Sequence, residues 1–456
     1  MISILDYGAI PDGKTLCRAA LQAAVDACHA AGGGTVLVPA GTYLVGTVVL
    51  RSHVHICLEA GATLLGSTDF RNDYLPHEPF SGTPYQDISH TYFDHSLFVA
   101  KNCTDIGVFG YGKIDMQGVW RKEQIELLGY KTYRTVKVFA FCSCSDIVFS
   151  DLTVLRATDL CMWLYDCERV RIRGLVMDVL VDGISPDACR DVVISDCRLT
   201  CDDDAIVLKS SYPLGRRIAC ENITISNCVV SSNFCAIKIG TETNGDFRNI
   251  TVTGCVLRNV QSAGLTVQST DGGHVTGVYF SNITMHNVSC PILVRLGARL
   301  RGPEGTAVGS ISDVSFQNIY SYFPRNTYPA ATIHLAGVRN IDGEITPYPY
   351  TSTVAGLPDH PVENITMRDV MIVSYGGETP ETALPTPLPE NDKAAPSPTL
   401  YGWCKPLPSH GLVMNHVKGA QLSGISFSTI HPDGRPATYF ADTTDLSENF
   451  IGASVP

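Results

Sequence analysis

Four carboxylates in two short segments are the residues of this chain with the clearest chemical potential. Asp182 precedes Gly183, while Asp202, Asp203 and Asp204 follow one another, with Asp203 standing 21 residues after Asp182. Like charges held close together disfavour ionisation, so at least one carboxyl of such a group keeps its proton more strongly than usual. A protonated carboxyl beside an ionised one can protonate a leaving oxygen and activate a water molecule, which is the chemistry of glycosidic bond cleavage.

Two other interpretations of these carboxylates stay open on the residues alone. Clustered carboxylate oxygens are also the ligands that Ca²⁺ prefers. Acidic residues at the end of a strand are, in addition, common in ordinary solvated turns. The choice between catalysis, calcium and a turn depends on the elements that position the four side chains.

A repeated strand pattern predicts those elements. Eight segments of four or five residues alternate apolar and polar side chains and end on Asn, Asp or Gly; they begin at residues 146, 169, 191, 222, 249, 277, 313 and 364. The shorter intervals predict an all-β parallel β-helix, in which each repeat forms one coil and lies about 4.8 Å from the next. Cys197, Cys228 and Cys255 share one repeat position, so we expect them to stack inside as reduced thiols.

One helix and two long segments interrupt the strand pattern. Apolar residues at helical spacing over residues 15–31 predict a helix that ends at the glycines 32–34. Residues 1–34 are therefore expected to cap the solenoid. Residues 70–95 are expected to form a rim of a cleft, and residues 376–408 to pack partly across it. The whole chain, 1–456, is then predicted to be one domain.

Basic and polar side chains are predicted to lie beside the aspartates. Aligning residues 205–209, 236–240, 264–268 and 291–295 on successive coils places four of them on one exposed sheet face, namely Lys209, Lys238, Gln268 and Arg295. They would either bind a substrate carboxylate or make ordinary ion pairs on a solvated face. Glu242 would accept sugar hydroxyls or pair with Lys209. Trp163 would stack on a sugar ring or pack in the core.

Composition excludes several classes of partner. The chain has 456 residues, with 33 Lys and Arg against 45 Asp and Glu, and carries a net charge of −12. The absence of a basic run argues against nucleic-acid binding, and no apolar run is long enough to predict a membrane span. The 17 cysteines lack zinc-site spacing, so we expect reduced thiols and no zinc site, and no cofactor is predicted. No signal peptide is visible, which predicts a cytoplasmic protein; the oligomeric state is left open.

Several motifs resemble those of glycoside hydrolase family 28, the polygalacturonases and rhamnogalacturonases. The resemblance is carried by Gly110–Trp120, by Val181-Asp182-Gly183 and by Cys201–Asp204, where the family has Asn-Thr-Asp-Gly and Gly-Asp-Asp. It implies a right-handed parallel β-helix of the pectin-lyase-like type, inversion at the anomeric carbon and no metal. Carried over residue by residue, it implies that Asp203 is the general acid and that Asp182 and Asp204 activate the water molecule.

Two family motifs are replaced in this chain. Phe234-Cys235-Ala236 stands where the family has Gly-His-Gly, and Thr266-Val267-Gln268 where it has Arg-Ile-Lys. We predict an inverting glycosidase whose carbohydrate substrate is an acidic or decorated pectic, or related plant, polysaccharide or oligosaccharide. The long segment 70–95 could block one end of the groove, so we expect the enzyme to be exo-acting. Its predicted substrate-binding residues are Asp202, Lys209, Lys238, Glu242, Gln268 and Arg295. The alternatives are a β-helix polysaccharide lyase, a fructan transferase and a non-catalytic glycan-binding β-helix.

Overall fold

A computed structural model describes residues 1–76, 85, 88–118, 136–324, 350–384, 386–388 and 406–451. The chain groups into two compact units: unit 1 comprises residues 1–202 and 211–224, and unit 2 comprises residues 203–210 and 225–456. Much of the two predicted loop segments, at residues 77–84, 86–87, 385 and 389–405, lies outside the described residues. Among the described residues no helix has the length and apolar character needed to span a membrane.

Unit 1 is built from short strands and one α-helix. The helix is Arg18–Ala30, so the predicted start at residue 15 was three residues too early. Residues Asp12–Leu16 form a strand instead, in which the Asp12 carboxylate accepts hydrogen bonds from the amides of Lys14 and Thr15 at 2.8 and 2.7 Å. Short 3₁₀ helices cover Ile4–Tyr7 and Ile88–His90. The strands of unit 1 are Ile2–Ser3, Asp12–Leu16, Gly34–Val38, Gly41–Val45, Val48–Val49, Val54–Leu58, Ala62–Gly66, Ser96–Lys101, Thr104–Gly110, Lys113–Asp115, Lys137–Cys142, Ser145–Ser150, Thr153–Leu155, Met162–Tyr165, Glu168–Arg173, Val176–Val179, Ile184–Asp187, Arg190–Ser195 and Arg198–Cys201.

The predicted repeats of unit 1 stack in parallel and in register. Ile147 pairs with Val170, and Val170 pairs with Val192 on the following coil. All three side chains are buried, as alternation with one inward face requires. The repeat starts at 146, 169 and 191 therefore mark successive coils.

Unit 2 repeats the same architecture with longer strands. Its strands are Ile206–Ser210, Val229–Ser232, Ile237–Thr243, Phe247–Thr253, Val256–Ser269, His274–Leu296, Ser310–Tyr322, Ser352–Ala355, Val362–Gly376, Leu412–His431 and Thr438–Phe450, and a further strand, Cys220–Ser226, contains the sequence boundary between the units. Ile250 pairs with Val278, Val278 with Val314 and Val314 with Ile365, all in parallel. Each unit is thus a parallel β-helix, which confirms the predicted all-β fold with one short N-terminal helix.

The Asn, Asp and Gly residues of the repeat have a common backbone role in unit 2. Left-handed residues occur in pairs five positions apart on five successive coils, at 249 and 254, 277 and 282, 313 and 318, 364 and 369, and 419 and 424. Asn249, for example, has φ of 54° and Gly254 has φ of 65°. Glycine adopts this region freely, and Asn and Asp tolerate it better than other residues. The composition of the repeat is therefore set by the two bends that flank each short strand.

Asn249 offers a direct test of this backbone role, because its side chain is exposed. The Asn249→Gly variant keeps the left-handed bend and should unfold close to the wild type in urea. The Asn249→Val variant places a β-branched residue there and should lose about 1–2 kcal/mol of stability. Equal unfolding midpoints for the two variants would contradict the assignment.

The cysteines behave as predicted for small apolar residues. Among the described residues every cysteine is a free thiol, and all but Cys57 are buried. Cys197, Cys228 and Cys255 each donate to the carbonyl oxygen two residues earlier, at 3.2, 3.2 and 3.4 Å. Their equivalent geometry follows from their shared position in the repeat.

Candidate active site

In unit 1, two of the predicted aspartates follow the ends of paired strands. Val176–Val179 and Arg198–Cys201 pair in parallel with Val179 opposite Cys201, and the amide of Asp202 donates to the Val179 carbonyl at 3.1 Å. Asp182 lies three residues beyond Val179, and its carbonyl accepts from the Cys161 amide at 2.9 Å. Asp182 and Asp202 are only 2% and 7% exposed, so their backbones are fixed and their carboxyls are largely withdrawn from water.

Trp163 of unit 1 belongs to the core. Its ring stacks on Phe93 with centroids 4.2 Å apart, and its indole N–H donates to Asp187 Oδ2 at 2.9 Å. The residue is fully buried, so the core alternative applies and sugar stacking does not.

A buried polar group in unit 1 was missed by the sequence reasoning. Lys137 and Asp159 are both fully buried. The Lys137 ammonium donates to the Tyr92 carbonyl at 3.1 Å, and the Tyr92 hydroxyl donates to Asp159. The signal in the sequence was a lysine directly before the apolar run 138–142. The strand Lys137–Cys142 is buried at all six positions. A lysine in such a strand needs a buried partner, because unpaired lysines are almost never buried.

In unit 2, Asp203 and Asp204 differ in their surroundings although they are adjacent. Asp203 is half-buried; its Oδ1 accepts from the Asp204 amide at 3.0 Å, and its carbonyl accepts from the Ser232 hydroxyl at 2.6 Å. Asp204 is 4% exposed, and its Oδ2 accepts from the Lys238 ammonium at 2.7 Å. Neighbouring carboxyls in unlike environments are suited to different protonation states.

The Asp204–Lys238 ion pair dominates the electrostatics of this part of unit 2. Burial disfavours the charged form of Lys238, but the attraction of Asp204, with further contributions from Cys235 and Glu242, outweighs burial, and the pKa of Lys238 is raised above its usual value. The same attraction favours the ionised form of Asp204. The structure therefore brings Lys238 directly onto one of the predicted catalytic carboxylates.

The predicted register is correct for Lys238, Gln268 and Arg295 but not for Lys209, and the predicted exposure is wrong for all four residues. Val207 pairs with Lys238, Lys238 with Thr266 and Thr266 with Leu293, and Gln268 pairs with Arg295. The predicted exposed residues are nevertheless all buried, at 4%, 4%, 0% and 1% exposure for Lys209, Lys238, Gln268 and Arg295. The register also shifts after Leu208, because Ser210 pairs with Thr243, so Lys209 does not stand opposite Gly240 in the ladder.

Glu242 lies between two cations of unit 2. Its carboxylate is 3.7 Å from the Lys209 ammonium and 3.7 Å from the Arg299 guanidinium. Of the two alternatives for Glu242, the structure shows the ion pair with Lys209. Glu242 lies within the strand Ile237–Thr243 and gives these two largely buried cations a counter-ion, as buried charges require.

Arg299 and Asp271 were not singled out by the sequence reasoning. Arg299 Nε and Nη2 bind the two oxygens of Asp271 at 2.9 and 2.5 Å, and Nη2 also donates to the Thr241 carbonyl at 2.9 Å. This is the bidentate geometry that makes arginine–carboxylate pairs strong and specific. Their side chains are 14% and 2% exposed. They stand 28 positions apart, which equals the interval between the repeat starts at 249 and 277, so the repeat period was the signal that could have found this pair.

Cys235, in the position of the family's histidine, is an inert thiol. It is fully buried, and burial raises its pKa to about 12. A thiol that stays protonated at neutral pH is a poor nucleophile, so this residue takes no part in bond cleavage.

One end of an outward row of side chains in unit 2 is covered. The row runs from Lys238 through Thr266 to Leu293. Leu293 pairs with Thr353, and Thr353 pairs with Val413 at the far end. An apolar cluster covers that far end; its members are Ala355, Leu384, Leu388, Leu407 and Val413. The described part of the predicted segment 376–408 thus packs on the sheet that carries Lys238.

Comparison with known proteins identifies the family to which these features belong. The family model of glycosyl hydrolases family 28 matches residues 28–328. A probable polygalacturonase of Vitis vinifera is 28% identical over 301 residues, which are 62% of this chain and 60% of that protein's length. An exopolygalacturonase of Zea mays is 24% identical over 335 residues, covering 69% of this chain and 75% of that protein. The solved family 28 exopolygalacturonase of Yersinia enterocolitica has the same fold, with a TM-score of 0.71 and 17% identity, covering 98% of this chain and 78% of that one.

Proposed function

This chain belongs to glycosyl hydrolases family 28, and from that membership we propose that it is a pectin-cleaving glycosidase acting at the ends of its substrate. The observation that carries the proposal is the pair of adjacent carboxyls in unit 2. Asp204 is buried against Lys238 at 2.7 Å, whereas Asp203 is half-buried. Glycoside hydrolysis needs one carboxyl that stays ionised and one that can deliver a proton.

The proposed roles of the carboxylates follow the motifs of the family. Asp203 protonates the glycosidic oxygen that leaves, and Asp204 with Asp182 accepts the proton of the attacking water molecule. Direct attack by water inverts the configuration of the anomeric carbon. The ion pair with Lys238 supports the assignment of Asp204 as a base, because a base must be ionised before it acts.

The proposed substrate is an acidic or decorated pectic oligosaccharide or polysaccharide. Lys209 and Arg295 are buried cations in strands of unit 2, the unit that also contains Asp204. A sugar carboxylate binds such cations through charge-assisted hydrogen bonds. Asp202, Glu242 and Gln268 complete the proposed binding residues by accepting from sugar hydroxyls or fixing the cations, as Glu242 does for Lys209.

Action at chain ends is supported by the covered row of unit 2. Leu384, Leu388 and Leu407 pack with Val413 at the end of the row that begins at Lys238. Leu293 and Val413 in this row are themselves buried, so a polymer bound at the Lys238 end could not continue along the row. The relative from Zea mays carries the name exopolygalacturonase, which agrees with such a mode of action.

The test is the product profile of the wild-type protein on polygalacturonate, defined oligogalacturonides and rhamnogalacturonan oligosaccharides. We expect one short product from the start of the reaction, little early loss of viscosity, and an inverted anomeric configuration by NMR. Unsaturated products absorbing in the ultraviolet would favour the lyase alternative instead. Binding of these glycans without any turnover would favour the non-catalytic alternative and contradict the proposal.

A further inference from the structure

We propose that Lys238 is a positioning residue for hydrolysis, whose ammonium holds the Asp204 carboxylate ionised and oriented for attack by water. The inference rests on the proposed function and goes beyond it. Here Lys238 binds the enzyme's own Asp204 carboxylate, whereas the sequence predicted that it binds a carboxylate of the substrate. The two roles predict different kinetic effects, so they can be separated.

The geometry of the pair supports a fixed contact. The Lys238 ammonium and Asp204 Oδ2 are 2.7 Å apart, and the two side chains are 4% and 6% exposed. Lys238 is held within a strand, Ile237–Thr243, that pairs on both sides, with Val207 and with Thr266. A short contact between buried groups on a paired strand leaves the ammonium little freedom to turn toward another anion.

The charges around Lys238 within unit 2 point to Asp204 as its counter-ion. Among the described residues of unit 2, a thiol, an aromatic ring and a second carboxylate also lie near the ammonium. The thiol of Cys235 is neutral because burial raises its pKa to about 12, and the ring of Phe234 lies 5.2 Å away and is uncharged. Glu242 contributes attraction at longer range and is shared with Lys209 and Arg299 at 3.7 Å each.

The step assigned to this pair balances in atoms and charge. The oxygen of a water molecule forms a bond to the anomeric carbon, and one water proton moves to Asp204. The glycosidic bond breaks, and its oxygen takes the proton of Asp203. Lys238 stays protonated throughout, so it exchanges no proton with the substrate and acts only through Asp204.

The test compares Lys238→Met with wild type on an oligogalacturonide that the wild type cleaves. We expect kcat to fall on the order of 10²-fold, as for other groups that stabilise charge in a closed site, while KM changes less than about twofold because uniform binding is unaffected. Lys238→Arg should recover at least part of kcat, since a guanidinium also pairs with a carboxylate. The matched control is Lys418→Met, which removes an exposed lysine 3.9 Å from Glu363 and should leave both constants unchanged.

A raised KM with kcat preserved in Lys238→Met would overturn the inference, since it would show that Lys238 binds the substrate. Unchanged constants would overturn it as well, while leaving the proposed function intact. If Lys238→Met does not fold, as circular dichroism would show, Lys238→Gln with added methylammonium replaces it. Recovery of kcat by the added cation supports the inference, and no recovery in a folded variant contradicts it. A wild type that cleaves no pectic substrate would overturn the proposed function itself.

Discussion

Replacement of Asp203 by Asn should lower kcat on oligogalacturonides by roughly 10²–10⁴-fold, the range that proton transfer by a positioned acid contributes. The change keeps the size of the side chain and its carbonyl oxygen. That oxygen can still accept the hydrogen bond from the Asp204 amide, which is 3.0 Å long in the wild type. It removes the proton that the leaving oxygen requires. Substrate binding should therefore persist while turnover is lost.

The leaving group decides whether this loss reflects an acid. The activated phenol of an aryl galacturonide leaves as a phenolate and needs no proton. Asp203→Asn should therefore lose far less activity on this substrate than on a sugar–sugar linkage. Asp196→Asn is the matched control, because Asp196 is exposed and left-handed with φ of 57°, a conformation that Asn tolerates. A loss of equal size on both substrates would exclude Asp203 as the general acid.

Replacement of Asp204 by Asn is expected to remove both activity and stability. As the proposed base, Asp204 acts on the water molecule and not on the leaving group. The fall in kcat should therefore be similar for substrates with good and with poor leaving groups. The variant also leaves the Lys238 ammonium buried without its closest counter-ion, and breaking a buried pair from one side costs about 3–5 kcal/mol. The measurements are kcat on the two substrates and urea unfolding of the folded protein.

A double variant separates these two effects. Asp204→Asn with Lys238→Met removes the charge that the single variant leaves unpaired, so the free energy of unfolding should partly recover. Activity should not recover, because the base is still missing. Stability losses that simply add in the double variant would show that the two residues are not coupled and would contradict the ion pair.

Much of the fold was predictable because its determinants are local. Period-2 alternation places Ile147 and its equivalents inward whatever the neighbouring coils contain. The bends require residues that tolerate positive φ. Pairs of Asn, Asp or Gly five positions apart, such as Asn249 and Gly254, therefore recur from coil to coil. The register of Lys238 with Val207 and Thr266 followed from the same repeat. The helix start was misplaced because Asp12 fixes a local turn and strand that amphipathic periodicity does not register.

By itself, the sequence determined the solenoid class, the coil register and the identity of the candidate carboxylates, since each depends on residues close together in the chain or on a repeated position. Only the tertiary structure decided which charges meet. Lys238 reaches Asp204 from 34 positions away, and Arg299 reaches Asp271 from 28. Alternation assigned Lys238 to an exposed face and did not single out Arg299, but turns from successive coils supply the partners of both cations. Burial of a charge depends on such partners, which no local pattern encodes.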